Sequence, residues 1–344
     1  MPHGQRRAVG VDYRGRMITD TRPAEVGRRR GGTALCWALV APGLGWTVVR
    51  LPGLERGPLV QAVAFTPYLA GWSLLALVAA LALRRRWPAL VAGLTAVALV
   101  GVVAPRALPA RQPDAGGPPV RLLTANLLHG DADPGELVEL VRSHRVDVLV
   151  VQEFTPGAEA GLDRAGLGAL LPHRQLNPEV GTTGSGLYSR FPLSDPQVRR
   201  NRGFNFTQAS ATVAAPGAPP VRVESAHPAA PWSVAVVDDW RTDLAGQPPA
   251  TPDGPLRILA GDFNATLDHA PLRALLDTGY ADAADAVGAG LSGTWGPYDG
   301  DLIPPVTIDH VLVDRRIAVR AVDVHPLPGS DHRAVLAELR LPAG

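Results

Sequence analysis

The sequence contains no lysine: all 33 of its basic residues are arginine. With abundant Ala, Gly and Pro, this reflects GC-rich coding more than a demand for guanidinium chemistry, so no single Arg is evidence of a site. Cysteine is nearly absent as well. Cys36 stands alone, which excludes an intramolecular disulfide and any zinc site built on thiolates. A surplus of charge is also missing. The formal net charge is +1, so nothing global argues for a nucleic-acid partner. No internal repeat is present, which excludes a solenoid.

What is present is length and long apolar runs. The 344 residues suffice for a large core and more than one structural region. Residues 1–30 are polar and Arg-rich, ending in Arg28, Arg29 and Arg30, and read as a disordered cytoplasmic tail. Three uncharged apolar segments follow within residues 31–105, at 31–49, 59–83 and 87–103. A hydrocarbon core needs about 20 helical residues, so these predict three transmembrane helices. Arg28–Arg30 precede the first span and Arg84–Arg86 separate the second from the third. The positive-inside rule puts both clusters in the cytoplasm. The expectation is therefore a multi-pass cell-membrane protein whose later chain is extracytoplasmic. Residues 106–119 form a Pro/Gly-rich linker without core material.

From Val120 onward strands and helices alternate. Val120–Asn126 is an apolar strand ending in a polar residue, and Val146–Glu153 is nearly all apolar, as a strand buried on both faces is, and ends in a carboxylate. Pro134–Ser143 has helical spacing, with Leu137, Leu140 and Val141 on one face. Further helices are expected over Ala158–Leu171, Trp232–Leu244 and Pro271–Thr278. Further strands are expected at Gly186–Ser189, Ser210–Val213, Val221–Ala226, Ile308–Val313, Ile317–Val324 and Arg333–Leu341, with a glycine-rich loop around Trp295.

The strand that ends at Leu259-Ala-Gly-Asp-Phe-Asn-Ala265 carries a carboxylate and a carboxamide at Asp262 and Asn264. Alternation along a strand puts both on one side if the extended geometry persists. Gly, Asp and Asn also form turns, and a turn alone accounts for this stretch equally well. The wider pattern decides. Asn126, Glu153, His227, Asp262 with Asn264, Asp309, and Asp331 with His332 all lie at or beside strand ends, where loops on a rigid scaffold collect chemistry.

Six blocks, TANLLHG, VVQEF, SAHP, LAGDFNAT, TIDHVLV and GSDHRAV, occur in one order over about Val120–Leu341. In this they resemble the endonuclease/exonuclease/phosphatase superfamily, metal-dependent phosphoesterases that include DNase I-like nucleases, neutral sphingomyelinases and inositol-phosphate phosphatases. The resemblance implies an α/β fold, a four-layer α/β sandwich of two mostly antiparallel sheets flanked by helices, here preceded by the three transmembrane helices. It implies Mg²⁺ or Mn²⁺ as cofactor, with Glu153, Asn126 and Asp331 as metal contacts. It implies Asp262 as the group that positions or deprotonates water and Asn264 as holder of a nonbridging oxygen. His332 would face the phosphate and be oriented by Asp309, and His227 would contact the phosphate or the leaving oxygen. His129, three residues after Asn126, could face the site but reads more readily as a plain loop histidine. Thr307 stands where many nuclease members carry a basic residue.

The chemistry is coherent without the family. In-line attack on phosphorus needs an oriented water, neutralised equatorial oxygens and a stabilised leaving oxygen. The substrate is left open. Arg199, Arg200 and Arg202 beside Phe204 and Phe206 could form a nucleic-acid edge, or a solvated charge run. An anchored site gains effective concentration on membrane phosphates, and the plan resembles bacterial membrane proteins with three spans and this domain outside, some linked to glycopeptide resistance. The expectation is a phosphoesterase acting on a lipid head group or lipid-linked pyrophosphate. A nuclease and a non-catalytic phosphate-binding module are the alternatives.

Overall fold

The computed structural model describes residues 10–11, 17–18, 22–296 and 302–344. These form two compact units. The first comprises residues up to Thr47 with Leu69–Leu99, and the second comprises Val48–Tyr68 with Val100–Gly344.

In the first unit, β1 (Gly10–Val11) pairs antiparallel with β2 (Met17–Ile18). Helix α1 runs Arg22–Arg50, so it begins inside the stretch expected to be a tail. Helix α3 covers Thr66–Ala82 and α4 covers Arg86–Val103. Small side chains, Val40, Ala76 and Ala92, lie buried where these helices meet. Their outer faces are large and apolar: Leu75 is 65%, Leu94 65% and Val97 74% exposed. A water-facing helix carries polar residues there. Gly31–Arg50 and Arg86–Ala107 are long and apolar enough to cross a bilayer, by length and composition only.

The expected middle span over 59–83 is not one helix. A short helix α2 (Leu59–Val63) stops at Ala64, and α3 restarts at Thr66, whose hydroxyl bonds the Val63 carbonyl at 2.6 Å. Pro67, which lacks the N–H an interior helical residue donates, sits in the first turn of α3. Residues 48–68 belong instead to the second unit.

That unit is built on two six-stranded sheets. The first contains β3 (Pro119–Asn126), β4 (Val148–Gln152), β5 (His173–Asn177), β6 (Ser185–Ser189), β13 (Ala318–Pro326) and β14 (Arg333–Arg340), in the order β13-β14-β3-β4-β6-β5. The second contains β7 (Leu193–Arg200), β8 (Thr207–Val213), β9 (Val221–Ala226), β10 (Leu256–Asp262), β11 (Tyr280–Asp282) and β12 (Asp309–Asp314), in the order β11-β12-β10-β9-β8-β7. Each sheet has one parallel pair, β3 with β4 and β9 with β10, and is otherwise antiparallel. Period-two alternation sorts the side chains. Leu122, Val148 and Val150 meet Val223, Ile258 and Val311 between the sheets. Leu123, Leu149 and Val151 face the other way, onto α5 (Pro134–Ser143), α6 (Pro156–Arg164) and α7 (Leu167–Leu170). Leu259 and Leu312 likewise pack on α8 (Val237–Ala245) and α9 (Ala270–Asp277). A short α10 (Ala283–Ala286) follows β11. The result is a four-layer α/β sandwich.

Differences from expectation are local. The helix expected over 158–171 breaks at Gly166, whose φ of +89° interrupts it. Strands β5 and β7 were masked in the sequence by their half-exposed, polar patterns. The loop around Trp295 lies partly outside the described residues. Residues 106–119 do not dangle: Ala110 N–H donates to the Ala286 carbonyl at 3.0 Å, Gln112 accepts from Val319 N–H at 3.0 Å, and Ala115 is buried.

Candidate active site

Strand ends from both sheets bring the site together. Asp262 closes β10 and pairs directly across from Asp309, which opens β12. Asn126 closes β3, and Glu153 follows β4. His227 follows β9, and His332 precedes β14. Gly261 permits the close approach of β10 to β9, because a Cβ there would lie 1.9 Å from the Ala226 carbonyl oxygen. With Gly261 in place, His227 and Asp262 become neighbours at the ends of adjacent parallel strands.

Three side chains converge on one carboxylate oxygen. Asp262 Oδ2 accepts from Asn126 Nδ2 at 3.1 Å, and lies 3.6 Å from His332 Nε2 and 3.8 Å from His227 Nε2. The same Asn126 amide reaches Glu153 Oε1 at 3.3 Å, so it ties the two carboxylates together. Asn126 is itself fixed, since its Oδ1 accepts from Leu128 N–H at 3.0 Å. His332 donates through Nδ1 to Asp309 Oδ2 at 2.9 Å, and Asp309 is held by Thr294 Oγ1, which accepts its N–H at 3.0 Å. Asp331 Oδ2 accepts from Trp295 Nε1 at 2.8 Å and its Oδ1 lies 3.9 Å from His332 Nε2.

Asn264 reaches the site differently from the strand alternation expected. The strand ends at Asp262, and Asn264 takes φ of +49° while its N–H donates to Asp262 Oδ1 at 2.8 Å. This is the local turn that Asp favours by bonding its own backbone two residues on. The turn reading and the site reading therefore describe the same object. Asn264 Nδ2 donates to the Pro228 carbonyl at 3.1 Å, and Trp240 Nε1 donates to the Asn264 carbonyl at 3.0 Å. Glu153 also holds a left-handed φ, +53°. Such conformations cost roughly 1–3 kcal/mol in a non-glycine residue and cluster at functional sites.

Electrostatics separate the roles of the titrating groups. Burial disfavours the His332 cation, yet the Asp309 and Asp262 carboxylates outweigh it and raise the pKa to about 10. His332 is thus an imidazolium at neutral pH. Burial pushes Asp262 up, with Asp309 and Glu153 adding to it, while His332 and the Asn264 N–H oppose; the result is about 7. Asp262 is poised to exchange a proton near neutrality. Burial, then the nearby His332 cation, lower His227 to about 3. His227 is neutral at pH 7, stacked on Phe206 at 4.5 Å between ring centres. Burial and the neighbouring cation thus favour neutral His227, while the two carboxylates favour the charged form of His332.

The residues fit a divalent cation. Glu153, Asp262, Asp309 and Asp331 converge, and the one cationic side chain lining the cleft among the described residues is His332. A phosphate brought into this set adds further negative charge, which a hard cation on oxygen ligands balances. Asp262, Asp309 and His332 offer ligand atoms within 4.8 Å of one another. His332 already spends Nδ1 on Asp309 and is protonated, so that trio is a hydrogen-bonded relay. Glu153, whose carboxylate keeps some exposure, is the better cation ligand.

Sequence reading missed several participants. His129, read as a plain loop residue, donates its N–H to Glu153 Oε2 at 2.7 Å and has its ring 3.5 Å from the same oxygen; its spacing from Asn126 was the available signal. Trp295 and Thr294 act through the folded loop, for which the sequence carries no signal. Arg50 and Arg106 flank apolar segments and also hold the fold. Both are buried on Asp268, at 2.6 and 2.7 Å, just beyond the Asp262–Asn264 turn. In the Arg199–Arg202 run, read as a nucleic-acid edge or a solvated charge run, Arg199 pairs with Glu224 at 2.8 Å and Arg200 with Glu179.

The cleft holding these groups encloses about 720 Å³. Residues 123–332 match the model of the Endonuclease/Exonuclease/phosphatase family. The fold is similar to that of an endonuclease/exonuclease/phosphatase from Beutenbergia cavernae, at 20% identity over 65% of this chain and 72% of that one, with a TM-score of 0.50. It is also similar to truncated TDP2 from Caenorhabditis elegans, at 16% identity over 64% and 97% of the two chains, TM-score 0.51. A humanised D. rerio TDP2 aligns at 14% identity over 64% and 98%, TM-score 0.54. No curated protein matches the chain by sequence.

Proposed function

The chain belongs to the endonuclease/exonuclease/phosphatase family, a metal-dependent hydrolase of phosphoester bonds, and from this premise we propose that it is a membrane-anchored phosphoesterase acting outside the cytoplasm on a lipid-linked or small phosphoester or pyrophosphate. The observation that carries the catalytic part is the convergence of Asn126, His332 and His227 on Asp262 Oδ2, beside Glu153. Glu153 with Asn126 and Asp331 would hold Mg²⁺ or Mn²⁺, which supplies Lewis-acid neutralisation of the phosphoryl oxygens. Asp262 orients the attacking water and takes its proton. The His332 imidazolium, steadied by Asp309, meets the charge that grows on a phosphoryl oxygen. Asn264 and neutral His227 hold the remaining oxygens by hydrogen bonds.

The membrane part rests on the apolar outer faces of α1, α3 and α4 and on the Arg clusters at 28–30 and 84–86, which favour a cytoplasmic N-terminus. Three crossings put the catalytic unit outside; α3, with 17 residues, is the shortest of them.

A nuclease is the second reading. It draws on the ring cluster of Phe204, Phe206 and Trp232 and on TDP2, one of whose structures is a complex with a single-strand DNA product. The ion pairing of Arg199 and Arg200 weighs against it.

The test is hydrolysis by the full chain, with Mg²⁺ or Mn²⁺, of phospholipids, polyprenyl pyrophosphate and plasmid DNA, alongside Asp262→Ala. Release of phosphate or a phosphoalcohol from a lipid, lost in the variant, is expected. Metal-dependent cleavage of plasmid alone favours the nuclease. No turnover by wild type, with equal lipid-phosphate binding by both proteins, leaves a binding module.

A further inference from the structure

The segment that joins α1 to α3 is part of the catalytic unit, and it is held there from end to end. Arg50 donates to Asp268 at 2.6 Å. Glu55 is buried and accepts the Ala270 N–H at the start of α9, also at 2.6 Å. The Val60 carbonyl bonds His269 Nε2 at 2.9 Å, and Gln61 Nε2 donates to the Pro231 carbonyl at 2.6 Å. Tyr68 closes the segment, donating to the Pro305 carbonyl at 2.7 Å. Val60 is fully buried in the core beneath β10. These bonds hold Gln61, Ala64 and Phe65 in the wall of the cleft that contains Asp262 and His332.

A file of aromatic rings leads out of the site along the same wall. His227 stacks on Phe206, Phe206 meets Phe204 edge to face at 5.5 Å, and Phe204 meets Trp232 edge to face at 4.9 Å. Trp232 adjoins Pro231, the residue that Gln61 binds. It lines the cleft and is 58% exposed, so its indole is open to an occupant.

We propose that Phe65 of this inter-helix segment and the rings of Phe204 and Trp232 form an apolar rim that takes the hydrocarbon adjoining the phosphate of a membrane amphiphile, and so set the specificity of the site. The proposal rests on the phosphoesterase reading of the cleft. Three observations favour hydrocarbon over a nucleic-acid base. No Arg lines the cleft among the described residues, so a polyanion backbone finds no partner there. Phe206, the ring next to the catalytic groups, is buried and packed against the His227 ring at 4.5 Å, whereas a base needs an open ring face. Phe65, one of the three rings, belongs to the segment that follows the apolar helix α1 in the chain, so the rim includes a residue that lies in sequence between a candidate membrane span and the shorter apolar helix α3.

The test uses the full chain in nanodiscs with Mn²⁺. Turnover is compared for methyl and hexyl p-nitrophenyl phosphate, and binding for methylphosphonate and hexylphosphonate, in wild type, Phe65→Ala, Trp232→Ala and, as a control on the outer strand β7, Val198→Ala. Wild type and Val198→Ala should favour the hexyl compound by about tenfold in kcat/KM and in affinity, roughly the worth of two buried methylenes. Both rim variants should bring that ratio close to one. Hydrolysis of both esters with no chain-length preference in wild type overturns the rim and leaves the phosphoesterase reading standing. Absence of hydrolysis, with a hexylphosphonate preference that the rim variants abolish, supports the rim and removes the phosphoesterase reading. A 5′-phosphorylated hexathymidylate that binds more tightly than hexylphosphonate, and loses this advantage in Trp232→Ala, assigns the rings to nucleic acid and overturns the proposal.

Discussion

Replacing Asp309 by Asn isolates the electrostatic design of the site, because it removes a charge while nearly keeping shape. Asp309 lies 2.9 Å from His332 Nδ1, and with Asp262 it lifts the imidazolium from an ordinary 6.5 to about 10 against the pull of burial. Asp309 is the nearer carboxylate and the one that is hydrogen-bonded. Its loss should lower the His332 pKa by on the order of 2 pH units, toward what burial and Asp262 alone allow. At about 1.4 kcal/mol per unit, the imidazolium loses roughly 3 kcal/mol of stabilisation. The cation is the working form, so its fraction falls once the pH passes the pKa. The alkaline limb of kcat/KM should therefore move to lower pH in Asp309→Asn, making the deficit at pH 9 far larger than at pH 6. Bis(p-nitrophenyl) phosphate with saturating Mn²⁺ serves as the assay, and ¹⁵N histidine spectra read the ring proton directly. Stability follows the same sign. Folded His332 holds its proton to about 10 and the unfolded chain only to about 6.5, so this contribution is complete below 6.5 and is lost as pH rises through 10. In the variant that loss ends at lower pH. A profile lowered uniformly from pH 6 to 10 with its shape unchanged, together with an unmoved ring titration, would refute the reasoning.

Other consequences are as direct. Chelation by EDTA should abolish turnover, with Mn²⁺ restoring it. Glu153→Gln should weaken Mn²⁺ binding by calorimetry by at least about tenfold, the lower end of what losing an outer-sphere partner alone costs. Asp268→Asn strands the buried Arg50 and Arg106 cations; the expected loss is about 3–5 kcal/mol, seen as a lowered melting temperature, and an unchanged one would contradict the buried pairing. His227 has its pKa lowered to about 3 in the folded chain, so the unfolded chain takes up a proton first as pH falls below 6.5. Wild type should lose on the order of 2–3 kcal/mol between pH 7 and 4.5 that His227→Gln does not, read from melting at the two pH values.

Much of this protein is legible along the chain because its signals are local. Strands β3, β4, β9, β10 and β12 are apolar runs whose period and length need no partner to be read. A polar residue lies at or just beyond one end of each of them, and that is why Asn126, Glu153, His227, Asp262 and Asp309 were candidates from the sequence. The rest depends on partners distant in sequence. Arg50 and Arg106 look like membrane flanks until Asp268 is folded between them. His227 and His332 look alike as letters, yet one is buried against Phe206 without a carboxylate at hydrogen-bond distance, and the other rests on Asp309. Their proton affinities consequently part to about 3 and about 10. Residues 59–65 look like the start of a span, because apolarity does not say whether a side chain meets lipid or a protein core. By itself the sequence determined the apolar strands and the polar residues at their ends, since those follow from periodicity, while the half-exposed β5 and β7 and the order of strands in each sheet did not show in it. Only the tertiary structure decided which groups share a proton, which cations are buried and which apolar segment walls the site, because burial and Coulomb energy depend on distances that spacing along the chain does not set.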